Sequence, residues 1–88
     1  MEKLNVVVGS ECGLHARPAS MLVGTAAKFS SDIFIKKDGK SANCKSILGV
    51  LSLGALKGDE LEITVEGADE TDAADNLREL FENRLIVE

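Results

Sequence analysis

His15 is the only histidine in the chain, and its setting is Gly13-Leu14-His15-Ala16-Arg17-Pro18-Ala19-Ser20. Imidazole is a competent nucleophile near neutral pH, with an unperturbed pKa of about 6.5. Pro18 is tolerated in the first turn of a helix, where a missing N–H costs nothing, so a helix is predicted to start near His15. The first turn of a helix offers unpaired backbone N–H groups and a partial positive charge, and together these make an anion site. A phosphoryl group on the ring would meet the amides of Ala16 and Arg17, with the Arg17 guanidinium nearby. The plainer alternative is that His15 merely caps the helix and Arg17 is a solvated residue of its first turn.

A second hydroxyl-bearing position, Ser46, stands ahead of the apolar run Ile47-Leu48-Gly49-Val50-Leu51 and is placed as a helix cap. Met21 falls off the apolar stripe of its own helix, while Leu48 and Leu51 share a face of the next. Ser20, Met21, Gly24, Ile47, Leu48, Leu51 and Gly54 are accordingly expected to form a docking surface with His15 at its edge. The competing expectation is that several of them fill core space. Cys12 and Cys44 lack the close spacing of a metal site or a redox pair and are read as free thiols, Cys44 packing at a strand end. One histidine without neighbouring ligands of the right spacing makes a poor metal centre, and none is expected.

These residues need elements to hold them. Leu4 to Val8 is rich in β-branched residues and reads as a first strand, interrupted by the polar, glycine-containing stretch 9–13. From Ala16 to Phe29 the spacing of Ala19, Leu22, Val23 and Ala26 predicts a helix with one buried stripe. Ile33 to Lys37 and Lys40 to Cys44 are two strands around the turn signal Asp38-Gly39. Ile47 to Leu53 is a short helix ending at Gly54. In Glu60 to Glu66, Leu61, Ile63 and Val65 point one way and the polar residues the other, the pattern of an antiparallel strand with one wet face. Asp69 opens the last helix, with Glu70 and Asp72 against its positive end. Its buried stripe is Ala73, Ala74, Leu77, Leu80, Phe81 and Leu85. The order β-α-β-β-α-β-α predicts an α+β open-faced sandwich, a four-stranded antiparallel sheet with three helices on one face.

The bulk numbers agree with that fold. Eighty-eight residues make one domain, residues 1–88, and 44% apolar with 28% charged residues is the balance of a soluble globular protein. With three Phe and no Trp or Tyr, the core must be aliphatic. A net charge of -5 argues against nucleic-acid binding, which needs a basic surface. No apolar signal region follows Met1, and no run approaches the roughly 18 apolar residues of a membrane span, so a cytoplasmic location is expected.

The segment from Gly13 to Ser20 resembles the active-site signature of the HPr family, the histidine phosphocarriers of the bacterial sugar phosphotransferase system. Asn43-Cys44-Lys45-Ser46-Ile47-Leu48-Gly49-Val50-Leu51-Ser52-Leu53-Gly54 is similar to that family's regulatory serine region, and Gly67-Ala68-Asp69-Glu70 to its entry into the last helix. The resemblance spans essentially the whole chain. It implies that Nδ1 of His15 accepts phosphate from phosphorylated enzyme I and passes it to the A domain of a sugar permease. Arg17 would neutralise charge in the transition state, and no cofactor would be needed. It also implies phosphorylation of Ser46 by an ATP-dependent HPr kinase/phosphorylase, slowing transfer through His15 and promoting binding to a catabolite-control transcription factor. A monomer is the expectation for such a shuttle. Cys12 departs from the small hydroxyl or amide residue more usual at its position, and a thiol is a weaker hydrogen-bond partner. His15 separates the chain from a regulatory relative that lacks the active histidine. Two rival readings are a purely regulatory binding protein using Ser46 and the apolar patch, and a carrier of the nitrogen-related branch. The 43–53 block resembles the sugar branch instead.

Overall fold

The alternation of apolar residues in three strands sets the architecture. In the computed structural model, which describes residues 1–9, 13 and 16–84 (Arg84 by its backbone), β1 (Glu2–Val7) buries Leu4 and Val6. β2 (Asp32–Lys37) buries Ile33 and Ile35, and β4 (Glu60–Glu66) buries Leu61, Ile63 and Val65. Antiparallel pairing brings these side chains into rows: Leu4, Ile63 and Ile35 lie side by side, as do Ile33 and Val65, and Val6 and Leu61. β3 (Lys40–Asn43) adds the fourth strand through a tight turn. Asp38 and Gly39 there have φ of 49° and 85°, the paired positive values that a two-residue hairpin needs. The sheet order is β1-β4-β2-β3, antiparallel throughout.

Three helices cover the apolar face. α1 (Ala16–Ala26) buries Pro18, Ala19, Leu22 and Ala26. α2 (Ile47–Ser52) buries Val50, and α3 (Glu70–Glu79) buries Ala73, Ala74 and Leu77. A wider, π-type turn, Leu80–Arg84, extends α3 and carries the buried Leu80 and Phe81. This is the predicted open-faced α+β sandwich. The opposite sheet face is wet, with Lys3, Asn5, Asp32, Lys36 and Glu60 exposed. Phe34 is a lone aromatic there, 45% exposed.

Several boundaries differ from the sequence expectation. β1 begins at Glu2 and ends at Val7, although Val8 still exchanges backbone hydrogen bonds with the chain at 58–59. β2 begins one residue earlier, at Asp32, β3 ends at Asn43, and α2 ends at Ser52 with Leu53 as its C-cap. α1 stops at Ala26 rather than Phe29 for an identifiable reason. The N–H groups of Ser30 and Ser31 donate to the Asp69 carboxylate at 2.8 and 2.9 Å, and the Phe29 carbonyl accepts from Lys45 Nζ at 2.8 Å. Groups that would have continued the helix are thus held by distant parts of the chain. Val23, expected in the buried stripe, is only half-buried. Leu85 lies outside the described residues.

Asp69 stands at the N-cap of α3, as expected, but its side chain does not cap that helix. It accepts instead from the backbone of Ser30 and Ser31 and from Ser31 Oγ. Glu70 Oε1 accepts the Gly67 N–H at 3.1 Å next to the same helix start.

Candidate functional site

α1 begins at Ala16, the residue after His15, and Ala16 and Arg17 are both exposed. Pro18, the third residue of the helix, is buried and has no N–H to leave unpaired. The first turn therefore presents the backbone amides of Ala16 and Arg17 toward whatever precedes it, and Arg17 itself is exposed. His15 and Cys12 lie outside the described residues.

Gly13, two positions before His15, has φ of 74°. A Cβ there would collide with the Ala55 carbonyl oxygen and stand 2.9 Å from Leu56 Cα. Gly13 is thus required twice over, by its left-handed backbone and by the close approach of the segment following α2.

α2 packs against α1 and places the second candidate residue. Ser46 is its N-cap, with extended backbone and a side-chain oxygen accepting the Gly49 N–H at 3.1 Å. The turn before it is held by Asn43 Oδ1, which accepts the Lys45 N–H at 2.9 Å. The Ser46 side chain is exposed, so a helix cap and a surface hydroxyl coincide in one residue.

The seven residues of the expected docking surface divide in two. Ser20, Gly24, Leu48 and Gly54 are exposed, Leu48 at 77%. Met21, Ile47 and Leu51 are half-buried and packed on the core. The face of α1 and α2 therefore offers an apolar surface whose most exposed large side chain is Leu48.

Cys44 is fully buried and free, and burial pushes its thiol up to about 12. It is a packing residue with no useful thiolate at neutral pH. Among the described residues no group of His, Cys, Asp and Glu is arranged to hold a metal ion. None of their helices is long and apolar enough to cross a membrane.

Sequence reasoning missed the long-range polar contacts. The Asp69 carboxylate joins α3 to the segment between α1 and β2 across 38–39 residues, and Lys37 joins the end of β2 to the segment after α2. No local pattern marks such pairs. The close approach at Gly13 left one trace in the sequence, a glycine in a short interruption between strand and helix.

The profile of the family described as "PTS HPr component phosphorylation site" matches residues 3–83. Among solved structures, HPr-C-His from Thermoanaerobacter tengcongensis is 42% identical, with a TM-score of 0.94, covering 100% of this chain and 99% of that one. The histidine-containing phosphocarrier protein of a Mycoplasma is 35% identical, with a TM-score of 0.89 and coverage of 99% and 100%. Crh, a catabolite-repression protein of Bacillus subtilis solved as a domain-swapped dimer, is 41% identical, with a TM-score of 0.73 and coverage of 93% and 94%. The dimer among these similar proteins stands against the expectation of a monomer, so a single-chain state is not a general property of the fold.

Proposed function

This chain belongs to the HPr family of phosphocarriers of the phosphotransferase system, and we propose that it carries its phosphoryl group on Nδ1 of His15, taken from enzyme I and given to the A domain of a sugar permease. The observation that carries this reading is the start of α1: the helix begins directly after the only histidine, with exposed Ala16 and Arg17 in its first turn. In each transfer the ring nitrogen forms a bond to phosphorus as the donor's bond to phosphorus breaks, and the onward step is the same exchange with the carrier as donor. The helix amides and the Arg17 guanidinium stabilise negative charge on the phosphoryl oxygens. The carrier presents the group, and its partners complete each active site. Both partners bind in turn over the α1–α2 face, through Ser20, Met21, Gly24, Ile47, Leu48, Leu51 and Gly54. The reading places the protein in the cytoplasm.

Ser46 is the regulatory position in the same reading. Its exposed hydroxyl at a helix start suits an HPr kinase/phosphorylase. The added charge of about −1.5 to −2 would be favoured by the helix start and would repel an acidic partner without refolding. The Crh neighbour, a catabolite-repression protein, supports a link to a catabolite-control transcription factor.

The test is a two-step transfer followed by intact mass. With enzyme I and phosphoenolpyruvate the protein gains one acid-labile phosphate. Addition of a permease A domain, after enzyme I is removed, returns it to its starting mass. No gain in mass, with another HPr phosphorylated in parallel, would sink the carrier reading.

A further inference from the structure

The segment 8–15 leads from β1 into the first turn of α1, and the chain at 54–59 contacts both of its described ends. At one end Val8 donates to the Asp59 carbonyl at 3.0 Å and accepts from the Gly58 N–H at 2.8 Å. At the other, Gly13 is so close to Ala55 and Leu56 that a Cβ could not be accommodated. The stretch 54–59 thus contacts the chain at both Val8 and Gly13, the latter two positions before His15 in the sequence.

Asp59 holds that stretch in shape. Its carboxylate accepts the Leu56 N–H at 2.7 Å, while its own N–H donates to the Leu56 carbonyl at 2.9 Å, a reciprocal pair that closes the turn. Lys37, at the end of β2, adds the second tie. Its Nζ lies 3.2 Å from Asp59 Oδ2 and donates to the Gly54 carbonyl at 3.3 Å, so one ammonium group holds both ends of the turn. The pair is partly shielded, with the Lys37 side chain 18% and that of Asp59 32% exposed. The Leu56 N–H, and after it the Lys37 ammonium, draw the Asp59 carboxyl below its ordinary value.

We infer that Lys37 and Asp59 are positioning residues for phosphoryl transfer: they fix the turn at 54–59, which fixes the approach of the chain to His15. The inference rests on His15 being the acceptor. Neither residue needs to touch the phosphoryl group. Their effect passes through the backbone at Val8 and Gly13, and displacement of a reacting group by about 1 Å can cost on the order of a hundredfold in rate. A single ion pair at the edge of the fold, outside the apolar core, contributes little to global stability, so its removal can disturb the turn in a molecule that remains folded.

The test compares Lys37→Ala, Lys37→Arg and Asp59→Asn by NMR and by the rate of phosphorylation by enzyme I. Because the chain has one histidine, its imidazole signal is unambiguous. The Gly13 amide and His15 ring resonances should move in both Lys37→Ala and Asp59→Asn. The phosphorylation rate should fall in both by on the order of tenfold, with thermal midpoints near that of the parent and Lys37→Arg close to the parent in each measurement. A mere through-space charge effect would act with opposite sign in the two variants, because one removes a cation and the other an anion. Unchanged Gly13 and His15 resonances in both variants, or rates that move in opposite directions, would overturn the inference. A parent protein that takes no phosphate from enzyme I refutes the carrier reading and with it a role in transfer, whereas the NMR comparison separately decides whether the Lys37–Asp59 tie holds the chain around Gly13 and His15.

Discussion

Asp69 shows how one side chain can act at a distance from its own helix. The Ser31 hydroxyl, followed by the backbone N–H of Ser30, holds its carboxyl down at about 2, against an ordinary value of 3.8. A carboxylate with a depressed folded-state pKa stabilises the fold fully above its unfolded value, and the contribution disappears as pH falls through the folded one. Stability should therefore decline between pH 3.8 and about 2 on account of this group. In urea melts at stepped pH, Asp69→Asn should be less stable than the parent at neutral pH, with the gap closing across that window. A gap that stays constant down to pH 2 would show that the carboxylate does not hold Ser30 and Ser31 in solution.

At the scale of elements, the helices have a buried side and an exposed side. Leu22 of α1 is completely buried and Leu48 of α2 is 77% exposed, although both are leucines on neighbouring helices. Leu22→Ala should lose about 2–5 kcal/mol, read from chemical melts. Leu48→Ala should change stability by no more than about 0.5 kcal/mol. In a titration with enzyme I, Leu48→Ala should nevertheless weaken binding, because the proposed docking surface would lose the contact area of its most exposed large side chain. Equal affinity for parent and Leu48→Ala would remove α2 from the docking surface.

Most of these elements were legible in the sequence because their signals are local. The strict alternation of Leu61, Ile63 and Val65, the Asp38-Gly39 turn, Ser46 before an apolar run and Pro18 in a first turn each state a conformation within a few residues. The end of α1 was not legible, because Asp69 and Lys45 determine it from far along the chain. The same holds at the candidate site. A nucleophile next to a helix start can be read directly, whereas the Lys37–Asp59 tie and the packing of Gly13 on Ala55 exist only after the sheet has brought them together.

For the whole molecule, the fold separates tasks by face. The sheet supplies much of the aliphatic core, its outer face stays wet, and in the proposed function the α1–α2 side presents the reactive group. A net charge of -5 means that a phosphate enters an already acidic molecule, and in the proposed function a second phosphate at Ser46 would add to that charge. The central claim is that the carried phosphate resides on His15. It is tested most directly by exposing the parent, His15→Ala and Ser46→Ala to enzyme I and phosphoenolpyruvate and reading intact mass before and after acid treatment. The account predicts one acid-labile phosphate on the parent and on Ser46→Ala, and none on His15→Ala. An acid-labile phosphate on His15→Ala would contradict it.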